Sequence, residues 1–286
     1  MKRKDDSGAG LTIHRVICYL VLIFFTLLAL FPFYVLIVNA TRAHADIQKG
    51  FSAFFGGSVV SNFKAVLRDD AHPLVRAMLN SFIIAASSSA LTVYFSAFTA
   101  YGINTYKDFK FRKFANGFIL LIMMVPTQVS ALGFIDLMAQ FGLTNTFWPL
   151  IIPSIAAPAV YYFMLSYMES SLPMEIVEAA RIDGANEFKT FNTIIIPMLK
   201  PALAVQAIFA FVQSWNNYFI PQLIIDSKNN KTLPILIAEL RSADFTKFNM
   251  GQLYMSIAFA IVPVVIVYLI LSKQIVRGVT LGGVKG

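Results

Sequence analysis

Six stretches of this chain contain no Asp, Glu, Lys or Arg, and each is long enough to cross a lipid bilayer. They are Val16–Thr41, Ala77–Tyr106, Phe114–Ile135, Leu137–Met168, Pro201–Ile225 and Phe248–Ser272, between 22 and 32 residues apiece. Together they hold 160 of the 286 residues, so all 38 charges fall in the other 126. A helix needs about 20 apolar residues to span a hydrocarbon core of roughly 30 Å. Composition agrees, with 57% hydrophobic residues, 13% charged residues and a mean hydropathy of +0.68, against about 25% charged in an ordinary soluble domain. The expected fold is an all-α polytopic membrane protein with six transmembrane helices. A soluble enzyme and a secreted disulfide scaffold are excluded.

The net charge of +8 reads as membrane orientation rather than nucleic-acid binding, because Lys and Arg cluster at span ends. Cys18 has no partner for an intrachain disulfide, and His14, His44 and His72 are too far apart for a metal-ligand spacing. The expectation is no metal and no cofactor. Lys2-Arg3-Lys4 before an apolar run resembles a signal peptide, but that run continues to Val38, well past the 7–15 residues of a signal-peptide core. It reads as a retained first span preceded by a cytoplasmic tail, residues 1–15. With the amino terminus inside, the inner segments carry 14 Lys+Arg and the outer ones 9, over 76 residues in each set. That bias places both termini in the cytoplasm. The six-span transmembrane body is then 16–272, followed by a cytoplasmic tail, 273–286.

Proline interrupts several spans: Pro32 in the first, Pro126 in the third, and Pro149, Pro153 and Pro158 in the fourth. Each removes a backbone donor and kinks its helix, and three in ten residues predict an irregular fourth span. No Asp, Glu, Lys or Arg is expected within any of the six spans, whereas ion-coupled carriers place such groups in the membrane. A secondary carrier is therefore the disfavoured alternative. The chain has no Gly-Lys pair, so it lacks a phosphate loop and is not expected to be an ATP-hydrolysing enzyme.

The inner loop 169–200 has helical patterning of its own. Ser170-Ser171-Leu172-Pro173 offers a cap and an early proline, Met174–Ile182 a short helix with Glu175 and Glu178 in its early turns, and Asp183-Gly184 a stop. A second helix places Phe188, Phe191 and Ile195 on one face and ends at Pro197. The small pair Ala179-Ala180 permits close approach. Five acids against three bases make DNA an unsuitable partner, which leaves an interfacial hairpin or a docking element for a soluble protein. The residues Glu178-Ala179-Ala180, then Gly184 after three residues, Ile194 after nine more, and Ile196-Pro197 resemble the EAA motif, E-A-A-x3-G-x9-I-x-L-P, of bacterial ABC importer permease subunits. Ile196 for Leu is the only departure. The six spans, Trp215-Asn216-Asn217 and the terminal Gly282–Gly286 are similar to the maltose-type carbohydrate permeases, on the shorter-subunit side.

That resemblance implies half of a translocation pore for a sugar or oligosaccharide in a bacterial cell membrane. It also implies a second permease subunit as heterodimer partner, a cytoplasmic ATPase dimer and an extracytoplasmic sugar-binding protein, besides membrane lipid. The ATPase-coupling residues carried over are Glu178, Ala179, Ala180, Asp183, Gly184, Ile194 and Pro197.

For the solute path, Gln206, Gln213 and Asn217 fall within about 40° on an ideal helix. Uncharged amides at such depth need partners, which are either another helix or a wet cavity. Trp215 and Tyr218 beside Asn216 offer either a surface for stacking a sugar or an interfacial belt. Gln128, with Thr127 and Ser130, is a weaker candidate for the same cavity. The outer loop Asp226–Asn249 has an apolar centre, Leu233–Ile237, and by resemblance reaches toward the binding protein. The glycine-rich tail 273–286 reads as a slim, extendable segment, either attracted to anionic lipid or inserted between the ATPases.

Overall fold

A computed structural model describes the backbone of residues 8–242 and 249–282. The described residues are helical with no strand, in the order α1 (Gly8–Ala40), α2 (His44–Gln48), α3 (Val59–Arg68), α4 (Leu74–Thr105), α5 (Arg112–Met123), α6 (Thr127–Gln140), α7 (Trp148–Ile151) and α8 (Pro158–Ser171). There follow α9 (Met174–Ile182), α10 (Glu187–Thr190), α11 (Ile196–Met198), α12 (Lys200–Trp215), α13 (Phe219–Ile224), α14 (Leu233–Ser242) and α15 (Met250–Gly282). Four segments are long and apolar enough to cross a membrane: His14–Ala40, Leu74–Thr105, Trp148–Ser171 and Met250–Ser272. Two bent pairs, α5 with α6 at 95° and Glu187–Met198 with α12 at 84°, bring the number to six if each pair is one span.

The chain forms two compact units. In the first, Met1–Asp69 with Ala243–Phe259, α1 begins at Gly8, within the segment expected as a tail. Its side chains from Val16 to Phe33 are about half exposed around the whole circumference. The turn after it is locked by polar groups: buried Asn62 donates to Ala40 O at 2.8 Å and Arg42 O at 2.9 Å, and Arg42 donates to Asn39 Oδ1 at 3.0 Å. Gly251 must be glycine here, because a Cβ would come within 2.6 Å of the Asn62 amide.

The second unit, Asp70–Ser242 with Ala260–Gly286, is organised around α4. Its buried stripe is made of small residues, including Ala85, Ser88, Ser89, Thr92, Ser96, Ala97 and Ala100, which let neighbouring backbones approach closely inside a membrane. The hydroxyls on that stripe answer the prolines of the fourth span. Pro153 and Pro158 carry no N–H, and carbonyls of the preceding turns are met from α4 instead: Ser88 donates to Leu150 O at 3.1 Å and Thr92 to Ser154 O at 2.8 Å. Ser89 likewise donates to Ala207 O of α12 at 2.8 Å. The fourth span is irregular as expected, with a 3₁₀ turn, Ile152–Ile155, between α7 and α8. In the third span the break falls at Pro126, which is the N-cap of α6.

Several sequence expectations change. The charge-free rule ended the third span at Ile135, but α6 runs on through Asp136 to Gln140, with the Asp136 side chain exposed in the last turns of the helix. The carboxyl-terminal tail expected to be extendable is helical as far as Gly282, because extending an existing helix fixes few new torsions per hydrogen bond; 283–286 lie outside the described residues. The apolar centre of the outer loop is not offered to a partner. Leu233, Ile235 and Leu236 are buried in α14, whose start is fixed by Leu233 N donating to Ser81 Oγ at 2.8 Å. Within 243–248 that loop lies outside the described residues.

Candidate functional site

The inner loop forms the helix–turn–helix expected, with α9 running from Met174 to Ile182. It starts at Met174 as expected, but its cap differs from the expectation. Ser170 and Ser171 belong to α8, and Pro173 occupies the N-cap position with extended torsions and no side-chain cap. Its end is a complete Schellman turn: Ala185 N donates to Ala180 O and Gly184 N to Arg181 O, both at 3.0 Å. Gly184 has φ of +77°, the left-handed conformation that a Cβ disfavours. Asn186 then caps α10, accepting from Lys189 N at 2.8 Å. Glu175 in the first turn and Arg181 in the last both suit the helix dipole.

What holds this hairpin to α4 is a three-residue clamp that sequence reasoning missed. Glu187 accepts from Arg181 Nε at 2.8 Å through one oxygen and from the Tyr101 hydroxyl at 2.6 Å through the other. Arg181 also lies over the Tyr106 ring, 5.3 Å from its centroid. Burial pushes the Glu187 carboxyl up, but hydrogen bonds from Tyr101, Arg181 and Tyr106 outweigh it and hold the group below its ordinary range. Below the clamp, Phe191 is fully buried among Tyr94, Phe98 and Tyr101, with ring centroids 5.0–5.6 Å away. Arg181 and Glu187 are close enough in sequence to suggest a pair across the glycine turn, whereas Tyr101 is not.

The motif residues divide between two faces. Val177 and Ala180 are buried against the core, while Glu178, Ala179 and Asp183 are exposed and Ile182 is 86% exposed. Close approach by another surface is therefore open to Ala179 alone; Ala180 is small because its own chain packs on it. Ile194 packs against the same core, and Pro197 is exposed. Phe188 does not share the buried face of Phe191 and Ile195. It is 63% exposed and meets the edge of that face through Phe98, at a ring-centroid distance of 6.4 Å, and a π-helical turn, Phe191–Ile195, follows it between α10 and α11. Pro197 does not end that helix by itself; it lies within α11, and the 84° bend follows at Leu199.

The fifth span also departs from the ideal wheel. Helix α12 ends at Trp215, so Asn217 is not on it, and Gln206 is buried where Gln213 is exposed. Trp215 is only 3% exposed and stacks on Phe211 at 5.8 Å, so packing rather than a ligand occupies its indole face. Asn216, Asn217 and Tyr218 form an exposed break before α13. Gln128 is exposed in the first turn of α6, just after the third-span break. Among the described residues no cluster of His, Cys, Asp and Glu has metal-binding geometry.

Residues 92–281 match the family described as binding-protein-dependent transport system inner membrane component. Over 278 residues the chain is 31% identical to the arabinooligosaccharides transport system permease protein AraQ of Bacillus subtilis (strain 168), covering 96% of this chain and 97% of that one. It is 30% identical to the lactose transport system permease protein LacG of Rhizobium radiobacter, covering 94% and 96%. It is 31% identical to the trehalose/maltose transport system permease protein MalG of Thermococcus litoralis, covering 95% and 97%. Its fold is similar to a chain in the crystal structure of a bacterial ABC transporter that imports alginate, with a TM-score of 0.79 and 21% identity over 96% of this chain and 99% of that one. A second structure, an alginate ABC transporter with a pentasaccharide-bound periplasmic protein, gives 0.60 and 15% over 92% and 93%. This chain belongs to the binding-protein-dependent inner-membrane transport family and is a permease subunit of an ABC importer, a transporter component rather than an enzyme.

Proposed function

We propose that this subunit forms half of a pore for a sugar or oligosaccharide, paired with a second permease chain, and is driven by a separate cytoplasmic ATPase dimer through α9. The observation that carries the reading is the outward face of α9. Glu178, Ala179 and Ile182 lie at i, i+1 and i+4 on a helix held by the Schellman turn and the Arg181–Glu187–Tyr101 clamp. A large apolar side chain at 86% exposure on a rigid charged element is suited to a protein groove, and an interfacial hairpin resting on lipid would not need the clamp. Exposed α1 supports a second permease chain, since an apolar span uncovered by its own chain is covered by lipid or by another subunit.

Sugar as solute rests on the relatives, whose names specify arabinooligosaccharides, lactose and trehalose/maltose. Gln213, Asn216, Asn217, Tyr218 and Gln128 are the candidate path residues in this reading. They lie at or beside helix breaks, and irregular backbone at membrane depth is tolerated where it lines a cavity. Both termini face the cytoplasm, and an extracytoplasmic binding protein delivers the solute. The test is cross-linking from Ile182→Cys in the assembled complex. Adducts with the ATPase subunit are expected; adducts confined to lipid or to the other permease chain would overturn the coupling assignment.

A further inference from the structure

Beside the clamp lies a cavity of about 620 Å³ that coupling does not explain. Its walls come from the end of α4, the turn after it and Arg181 of α9, with Gly102, Ile103, Tyr106, Lys107 and Phe109 among them. The lining has two characters. Ile103, Tyr106 and Phe109 are apolar or aromatic, and Lys107 and Arg181 supply two cations against one acid, Asp108. Glu187 engages the Nε and Nη2 edge of Arg181 at 2.8 and 2.7 Å, and a guanidinium carries five donors, which leaves the Nη1 edge for a second acceptor. A small soluble anion would be met by the cations alone and would leave the aromatic wall uncovered.

The segment leading away from the cavity identifies the ligand class. From Tyr106 to Phe114 four aromatic residues, Tyr106, Phe109, Phe111 and Phe114, are interleaved with four basic ones, Lys107, Lys110, Arg112 and Lys113, and one acid, Asp108. Tyr106, Phe109, Phe111 and Phe114 are all at least half exposed, and the three lysines are exposed with them. Exposed aromatic rings beside lysines at the end of a membrane span mark headgroup depth, and basic pockets between helices on the cytoplasmic side accept anionic headgroups. We infer that this cavity is a binding site for one anionic glycerophospholipid of the inner leaflet, its phosphate between Lys107 and the free edge of Arg181 and its glycerol and upper acyl chain against Ile103, Tyr106 and Phe109. Because Arg181 also holds Glu187, the bound lipid supports the coupling helix from the membrane side.

The inference rests on the proposed orientation of this loop, and the two are tested separately. Lys110→Cys in sealed vesicles reports the orientation; labelling only from the outer face overturns the inner-leaflet assignment. The site is tested by native mass spectrometry of the assembled detergent-purified transporter titrated with phosphatidylglycerol, with phosphatidylcholine as the uncharged control. Gly102→Leu fills the cavity without touching a charge, and a Cβ at Gly102 meets nothing within 4 Å, so the side chain enters without displacing a neighbour at its first atom; co-purification of the ATPase checks that the variant complex is assembled. Phosphatidylglycerol is expected to bind the native complex in preference to phosphatidylcholine. Gly102→Leu should lose that binding at least tenfold, and Lys107→Gln should weaken it about fivefold, as removal of one basic contact predicts. Equal lipid affinity in Gly102→Leu and the native complex overturns the site. Displacement of the lipid by excess inorganic phosphate alone would make it an anion site and overturn the lipid assignment. Protection of the cavity by the ATPase, seen as lipid binding only after the ATPase is stripped, also overturns it.

Discussion

Two helix breaks in this subunit are built in opposite ways. At Gly184 the chain reverses between α9 and α10 with its carbonyls taken up by the Schellman bonds and its flanks joined by Arg181 and Glu187. At Asn216–Tyr218 the chain also leaves a helix, but the side chains of all three residues are exposed. Closing a turn on itself makes it rigid enough to pass on a displacement, whereas polar groups left outward at a break serve an occupant that comes and goes. The first break therefore suits a mechanical joint and the second a solute contact.

The largest effect is expected at Gly184. A Cβ there meets no atom within 4 Å, so the cost of Gly184→Val is conformational, about 1–2 kcal/mol in the left-handed region, more for a β-branched side chain. We expect transport in proteoliposomes to fall roughly tenfold or more while ATP hydrolysis continues. Gly184→Asn, which tolerates this conformation, should retain most transport. Equal loss in both variants would mean the left-handed turn is not what matters.

Next in size is the clamp. Glu187→Gln removes the charge that Arg181 and Tyr101 share and should loosen α9. An ion pair exposed by about a third, as this one is, contributes at most ~1 kcal/mol, so the expected loss of transport is several-fold. Because the folded carboxyl is held below its ordinary range, its contribution is present above the unfolded value and is lost only as pH falls through the folded one. Coupling should thus stay flat from neutral to mildly acidic pH. A decline centred above the ordinary carboxylate range would assign the titration to another group.

At the other break, Gln213→Leu should reduce uptake about three- to tenfold, the range for one uncharged hydrogen bond, with the complex still assembling. Loss of assembly without any change in uptake per complex would favour helix packing over solute contact. Trp215→Phe serves as the contrast: its ring is stacked on Phe211, so it should change stability more than sugar preference.

The limits of reading this sequence follow from the range of the signals. Both ends of α9 were legible because Pro173, the acids of the first turn and Gly184 act within a few residues. The apolar runs located the four long spans and the two bent pairs that bring the number to six if each is one span, since bilayer thickness sets their length, though the boundary between the third and fourth runs fell inside α6. What was not legible depended on distant partners. Tyr101 and Glu187 are 86 residues apart, and nothing local marks their meeting. The end of α12 at Trp215 and the π turn before Pro197 depend on how neighbouring helices pack, which an ideal wheel ignores. One distant partnership did leave a trace: Ser88, Thr92 and Ser96 recur every fourth residue in a run without charge, opposite a span that has lost backbone donors to proline.

That trace gives the smallest and most specific prediction. Thr92 donates to Ser154 O at 2.8 Å, the carbonyl four residues before Pro158, where a regular helix would have drawn a donor from residue 158. Thr92→Val keeps the shape and removes the hydroxyl, and interhelical hydrogen bonds in membranes average about 0.6 kcal/mol. The expected effect on thermal stability in detergent is correspondingly slight. Pro158→Ala changes the balance: it restores an N–H and frees Ala157 from the restriction that a following proline imposes, so the 3₁₀ turn Ile152–Ile155 and α8 can join into one helix in which this carbonyl gains a backbone donor. In that background Thr92→Val should cost less than it does alone, because the hydroxyl is no longer the donor on which Ser154 O depends. An equal cost in both backgrounds would show that Thr92 acts through packing, and the serine–threonine stripe would then be a close-approach surface rather than a set of donors matched to the prolines.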